Sequence, residues 1–240
     1  MLKIEHLTKK YKNSDKLSVN DLSIELKKGE IFGFLGKNGA GKSTTIKCAT
    51  GILSFNNGII TIDGHDITKE PKIAKSLIGY VPDNHAVYEK MTAREYIYYM
   101  GILYGTKAEE VNKLSDYYLK LFDLDKVADN QIRSFSHGMK QKVSVIAALV
   151  HSPKLWILDE PLMGLDPKAS QQIQNYMIHY AHDLQNTVFF SSHNIDLVEK
   201  VCDRVAIIND GVLMELIDLK DFTKNSTISL EKHFMKYLGD

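Results

Sequence analysis

The chain has 240 residues, 44% of them hydrophobic, which is enough apolar material to bury one large core or two lobes that share one. Thirty Lys and Arg balance thirty Asp and Glu, so the formal net charge is zero and no overall basic field draws nucleic acid, which is therefore not expected as a partner. The longest apolar runs, such as VIAALV at 145–150, fall far short of the roughly 18 residues that span a bilayer, the N-terminal MLKIEHLTKKYK has no apolar secretion core, and Cys48 and Cys202 form no disulfide framework. The chain is expected to fold in a reducing cytoplasm without crossing a membrane itself.

Residues 2–35 alternate short apolar runs (LKIEHL, LSVNDLSIEL, IFGFL) with polar turns and read as strands, a pattern that GIITIDGHDI at 58–67 continues. The period changes near residue 90. TARE at 92–95 is a capping box, with Thr92 as N-cap and Glu95 three residues on, and opens a helix through Tyr104. Val111, Leu114, Tyr118, Leu121 and Phe122 recur at helical spacing, and a third helix is predicted from about Gly138 to Val150. LWILDE (155–160), TVFFSSH (187–193) and RVAIIND (204–210) are continuous apolar runs of the kind covered on both faces in a parallel sheet, with a helix-forming stretch at 168–184 between the first two. SLEKHFMKYL near the C-terminus is a short amphipathic helix candidate. The plan is an α/β core at 1–85 and 151–215, a helical lobe at 86–150, and a short extension at 216–240, with no internal repeat.

Gly36-Lys37-Asn38-Gly39-Ala40-Gly41-Lys42-Ser43 fits the phosphate-loop pattern G-x-x-x-x-G-K-S/T and stands where that pattern must stand, between the strand IFGFL and the helical STTIKCAT. Glycines let the loop turn its N–H groups inward on phosphates, and the following helix adds its positive end. Gly36, Asn38, Gly39, Gly41, Lys42, Ser43 and Thr44 are the candidate nucleotide contacts; Lys42 neutralises the β- and γ-phosphates, and the Ser43 hydroxyl suits Mg²⁺. LWILDE then delivers Asp159 to the Mg²⁺ shell and Glu160 to an attacking water. Taken alone, an apolar strand ending in two acids is common; its place after a phosphate loop gives it meaning.

These motifs, in this order and over nearly the whole chain, resemble the ATP-binding cassette family, the nucleotide-hydrolysing subunits of membrane transporters. The resemblance implies a RecA-like P-loop NTPase core with an antiparallel β subdomain and an inserted α-helical subdomain. FSHGMKQK at 135–142 occupies the place of the family's serine-glycine signature, GLDP at 164–167 is similar to its D-loop with Asp166, His193 of SSH matches its switch histidine, and Tyr11 stands where the family stacks an aromatic on adenine. Each has a plainer reading: Tyr11 packing on a strand, His193 as a structural histidine, Asp166 as a turn residue. In this family two cassettes pair head to tail and each ATP lies between the phosphate loop of one and the signature of the other, so the expected partners are a second cassette chain, identical or not, and a separately encoded membrane permease. Ser136 and Gly138 at a helix N-terminus make an anion receptor, whereas adjacent Ser136 and His137 with no third orienting group serve poorly as a nucleophile pair.

The chain departs from the family in two places. The signature is usually Leu-Ser-Gly-Gly-Gln; here His137 replaces a glycine, which is acceptable where no positive φ is needed, and Met139 cannot make the glutamine's hydrogen bonds. In YVPDNHAVY the family's glutamine is Asp83, an added carboxylate near the metal. The stretch that follows resembles cassettes of bacterial export systems, and Tyr88, Tyr96, Tyr98, Tyr99 and Tyr104 either line a groove for a helix of the membrane subunit or belong to the core. The expected function is ATP hydrolysis at the cytoplasmic face of a membrane, energising export. The rivals are a soluble cassette ATPase of ribosomes or chromosomes, a nucleotide sensor without turnover, and a small kinase.

Overall fold

The computed structural model describes residues 1–12, 14–84, 87–226 and 228–237; His85 and Ala86 of the Asp83 segment and Leu238 of the C-terminal helix candidate lie outside these. In chain order the elements are β1 (Leu2–Lys10), β2 (Leu17–Leu26), β3 (Ile31–Leu35), α1 (Lys42–Ala49), β4 (Asn57–Ile62), β5 (His65–Asp66), α2 (Pro71–Ser76), β6 (Ile78–Val81), α3 (Ala93–Leu103), α4 (Ala108–Leu121) and α5 (His137–Leu149). They continue as β7 (Leu155–Asp159), α6 (Pro167–Ile178), β8 (Thr187–Ser192), α7 (Ile195–Val201), β9 (Arg204–Asn209), β10 (Val212–Asp218), α8 (Leu219–Asn225) and α9 (Leu230–Met235).

β1 shows how the sequence aims its side chains. Leu2 and Ile4 face inward by simple alternation, yet so does Leu7, an odd step away. The register shifts between Ile4 and Leu7, where His6 takes φ 52°, and this irregularity resets the alternation so that Leu7 joins the same core. The antiparallel sheet has the order β2-β1-β4-β5, and the six-stranded sheet β10-β9-β3-β8-β7-β6 is parallel except for the β10 edge. Every residue of β3, β7 and β8 is buried, which explains their unbroken apolar runs.

Two cores lie on opposite faces of the larger sheet. One joins Trp156, Leu158, Val188 and Phe190 to the helical lobe through Ile97, Leu119, Phe122 and Ile146. The other joins Leu155, Ile157 and Phe189 to the antiparallel sheet through Leu2, Ile4, Ile60 and Ile62. The α/β class and its P-loop architecture are as expected. The expected strand at 58–67 is divided by a turn in which Asp63 and Gly64 take φ 50° and 89°. The expected helix at 168–184 is α-helical to Ile178 and then widens into a π-turn over His179–Asp183.

Candidate nucleotide site

Buried β3 ends at Leu35, and the chain turns through Gly36–Gly41 into α1. Gly41 takes φ 103°, and a Cβ there would lie 2.5 Å from the Ser18 carbonyl oxygen; the turn therefore admits only glycine. Gly36 serves close packing instead, since a Cβ there would come 2.6 Å from the Ile208 carbonyl oxygen and hold the loop off β9. Lys37, Asn38, Gly39, Gly41, Ser43 and Thr44 line a cavity of about 480 Å³, shared with Asp83 and Glu160. That volume falls in the range of small-ligand sites. Lys42 Nζ donates to the carbonyls of Gly36 (2.7 Å) and Lys37 (3.2 Å) and lies 3.4 Å from Glu160 Oε1.

The two acids of β7 are held by their neighbours in distinct ways. The register pairs Asp159 with Ser191 of β8. Ser191 Oγ donates to Asp159 Oδ1 (2.6 Å) and accepts from the Glu160 backbone N–H (3.0 Å), while Ser43 Oγ also donates to Asp159 Oδ1 (3.0 Å). Burial raises the Asp159 carboxyl above its ordinary range, the two serine hydroxyls pull it back, and Asp83 adds a like charge. Its Oδ2 is buried with no hydrogen-bond partner among the described residues, an oxygen left for a cation. Among the described residues no three His, Cys, Asp or Glu gather into a metal cluster. The Ser43 hydroxyl and Asp159 Oδ2 thus fit Mg²⁺, which takes one or two protein carboxylates and fills its shell with phosphate oxygens and water.

Glu160 leaves the strand at φ 48°, a left-handed conformation costly for a residue with a side chain and here fixed by the Ser191 contact. Its carboxylate lies between Lys42 and His193, whose Nδ1–H donates to Oε2 at 3.1 Å. Tyr11 is 41% exposed at the edge of the site, with its hydroxyl 3.3 Å from Thr44 Oγ1 and the Lys9 ammonium 5.4 Å from its ring centroid.

The signature residues gather elsewhere. Ser136 caps α5, its Oγ accepting from Met139 N–H (3.3 Å), and neither it nor Gly138 belongs to the described lining of the cavities beside Glu160. Gly138 faces Asp166, whose Oδ2 would lie 3.4 Å from a Cβ there; Asp166 itself caps α6 by accepting from Ala169 N–H (2.9 Å), and that bond holds its carboxyl below the usual range. His137 is helical, so the missing glycine costs no strain, and the Met139 side chain packs against the core. Of the tyrosines, Tyr96 is buried and Tyr104 stacks on His151 at 3.8 Å, whereas Tyr88, Tyr98 and Tyr99 are exposed.

Ser191 is the residue that sequence reasoning passed over. Its signal was a polar pair closing an otherwise apolar strand run, just before the singled-out His193.

The family described as ABC transporter matches residues 19–163. The linearmycin resistance ATP-binding protein LnrL of Bacillus subtilis is 39% identical over 90% of this chain and 68% of its own length. The bacitracin transport ATP-binding protein BcrA of Bacillus licheniformis is 35% identical over 96% of this chain and 74% of its own. A solved ATP-binding subunit of an ABC transporter superposes with a TM-score of 0.91 at 28% identity, covering all of both chains. A cassette dimer bound to ADP and Pi shares the fold, with a TM-score of 0.84 at 24% identity over 91% of this chain and 99% of that one. The chain belongs to the ABC transporter family, as one of its ATP-binding ATPase subunits.

Proposed function

We propose that this ATPase pairs head to tail with a second cassette and drives a separately encoded membrane permease from the cytoplasmic face, in the direction of export. The observation that carries the catalytic assignment is the Glu160 carboxylate, held 3.4 Å from Lys42 Nζ and 3.1 Å from His193 Nδ1 at the mouth of the phosphate-loop cavity. There it accepts a hydrogen bond from the attacking water, and His193 keeps it turned toward the γ-phosphate. Lys42, Asn38 and the loop amides bind the β- and γ-phosphates, Thr44 follows along the same helix start, and the Tyr11 ring carries the adenine. A bound Mg²⁺ supplies charge neutralisation on the phosphates, held by Ser43 and Asp159, with Asp83 facing the same cavity.

Ser136 and Gly138 lie away from this cavity at the N-terminus of α5, where an anion from another chain meets the positive helix end, and Asp166 lies on the same surface. Exposed Tyr88, Tyr98 and Tyr99 offer the permease an aromatic surface. Among the described residues no helix is long and apolar enough to cross a membrane. The relatives named for linearmycin resistance and bacitracin transport support export. In the test, Glu160→Gln abolishes ATP turnover while ATP drives the variant into a stable dimer; hydrolysis at the wild-type rate would refute the role given to Glu160.

A further inference from the structure

α5 begins at the signature and grips the loop that leaves Glu160 at two points. His137 Nε2 lies 3.2 Å from the Met163 carbonyl oxygen, a pairing in which the ring nitrogen must be the donor, and Gln141 Nε2 donates to the Pro161 carbonyl at 2.8 Å. The two side chains are four residues apart, hence on one helix face, and their acceptors are two residues apart in the segment Pro161-Leu162-Met163. Gln141 is buried, so its grip is fixed; His137 is exposed, at the very end of the helix that faces the partner in the proposed dimer. The His137 ring also covers Gly164, which takes φ 72° and where a Cβ would meet Nε2 at 3.3 Å. Met163 in turn lines both cavities that flank Glu160, the one holding the phosphate loop and the one holding His193.

From this geometry, and resting on the proposed head-to-tail arrangement, we infer that His137 is a positioning residue for hydrolysis: it ties the signature end of α5 to Met163 and so fixes the loop that aims Glu160. A glycine at this position has no side chain and makes no such tie. Met163, and not His137, is among the described residues that line the phosphate-loop cavity, so His137 acts through the Met163 carbonyl. Its removal therefore perturbs the rate of the chemical step and leaves nucleotide affinity alone.

The test uses the full chain. His137→Ala should lower kcat on the order of tenfold, since small displacements of an aligned catalytic group carry penalties of that size, while KM for ATP stays within twofold and Tm is unchanged. His137→Gln, whose amide restores a donor of similar reach, should recover at least half of the wild-type kcat. In the Glu160→Gln background, adding His137→Ala should leave the ATP concentration for half-maximal dimerisation within twofold. The inference is overturned by a His137→Ala kcat within twofold of wild type, by a His137→Gln variant no better than alanine, or by a dimer that needs tenfold more ATP, which would make His137 a direct ligand. Failure of the underlying reading looks different: wild-type protein that does not hydrolyse ATP, or a Glu160→Gln variant that does.

Discussion

Replacing Ser191 by alanine tests the architecture of the site more sharply than removing the proposed base, Glu160. One hydroxyl donates to the buried Asp159 carboxylate at 2.6 Å and accepts from the Glu160 N–H at 3.0 Å. The first bond is charge-assisted and the second satisfies a part-buried donor, and losses of this kind cost about 1–3 kcal/mol each; Asp159 keeps the Ser43 hydroxyl, so the expected total is about 2–4 kcal/mol. For a chain of this length that lowers Tm by roughly 4 °C or more. The left-handed turn at Glu160 also loses its brace, so kcat should fall on the order of tenfold, while ATP affinity, assigned in the proposed function to the phosphate loop and Lys42, should change little. Urea unfolding gives the first quantity and steady-state ATPase kinetics the second. A stability change under about 0.5 kcal/mol together with a kcat within twofold would show that the Ser191 bridge neither holds the strand end nor orients Glu160.

Three further perturbations address other parts of the molecule. Ser136→Arg should abolish ATP-driven dimerisation, followed by size-exclusion chromatography in the Glu160→Gln background, while nucleotide binding to the monomer persists; unchanged ATPase activity in the single variant would show that the signature has been misread. Asp83→Gln removes a carboxylate from the cavity wall and should shift the Mg²⁺ dependence of turnover or its coupling to the proposed permease with ATP binding intact, and identical metal titrations and coupled turnover would count against it. Burial pushes the His151 imidazole down to about 4, against the pull of its bond to the Ile78 carbonyl, so the folded protein holds it neutral where the unfolded chain protonates it near 6.5. Its contribution is complete above that unfolded value and is lost as pH falls toward 4, on the order of 2 kcal/mol between pH 7 and 5. His151→Gln should flatten that part of the stability profile; an unaltered slope in urea midpoints would contradict the assignment.

Much of this was legible in the chain because its strongest signals are local. A phosphate loop is read from eight consecutive residues, and the Thr92 capping box forms as its spacing requires, with both reciprocal bonds present. Parallel strands announce themselves as unbroken apolar runs because neither face meets water. What escaped depends on register. Ser191 matters only because β8 places it opposite Asp159, and no local property of TVFFSSH gives that alignment. The link from His137 to Met163 spans 26 positions and arises from the packing of α5 on a loop. Among the tyrosines periodicity could not separate core from surface, since buried Tyr96 and exposed Tyr98 and Tyr99 share one helix and one composition. Elements as short as α2 and β6 carry too few residues to establish a period at all.

β7 has a bearing on how this protein can be recombined. Its odd and even residues answer to different cores, Leu155 and Ile157 to the antiparallel side, Trp156 and Leu158 to the helical side, where Trp156 meets the rings of Tyr176 and Tyr180 at 6.0 and 5.5 Å. Its last residue and the next are the two carboxylates of the site. A chimera that imports the helical lobe of a relative therefore has no clean cut point along the chain. The seam runs through alternate side chains of a single strand, and because close-packed interiors transmit misfit instead of absorbing it, a mismatched graft would register first at Asp159 and Glu160. Exchanging the lobe together with Trp156, Leu158, Tyr176 and Tyr180 moves that seam off the strand.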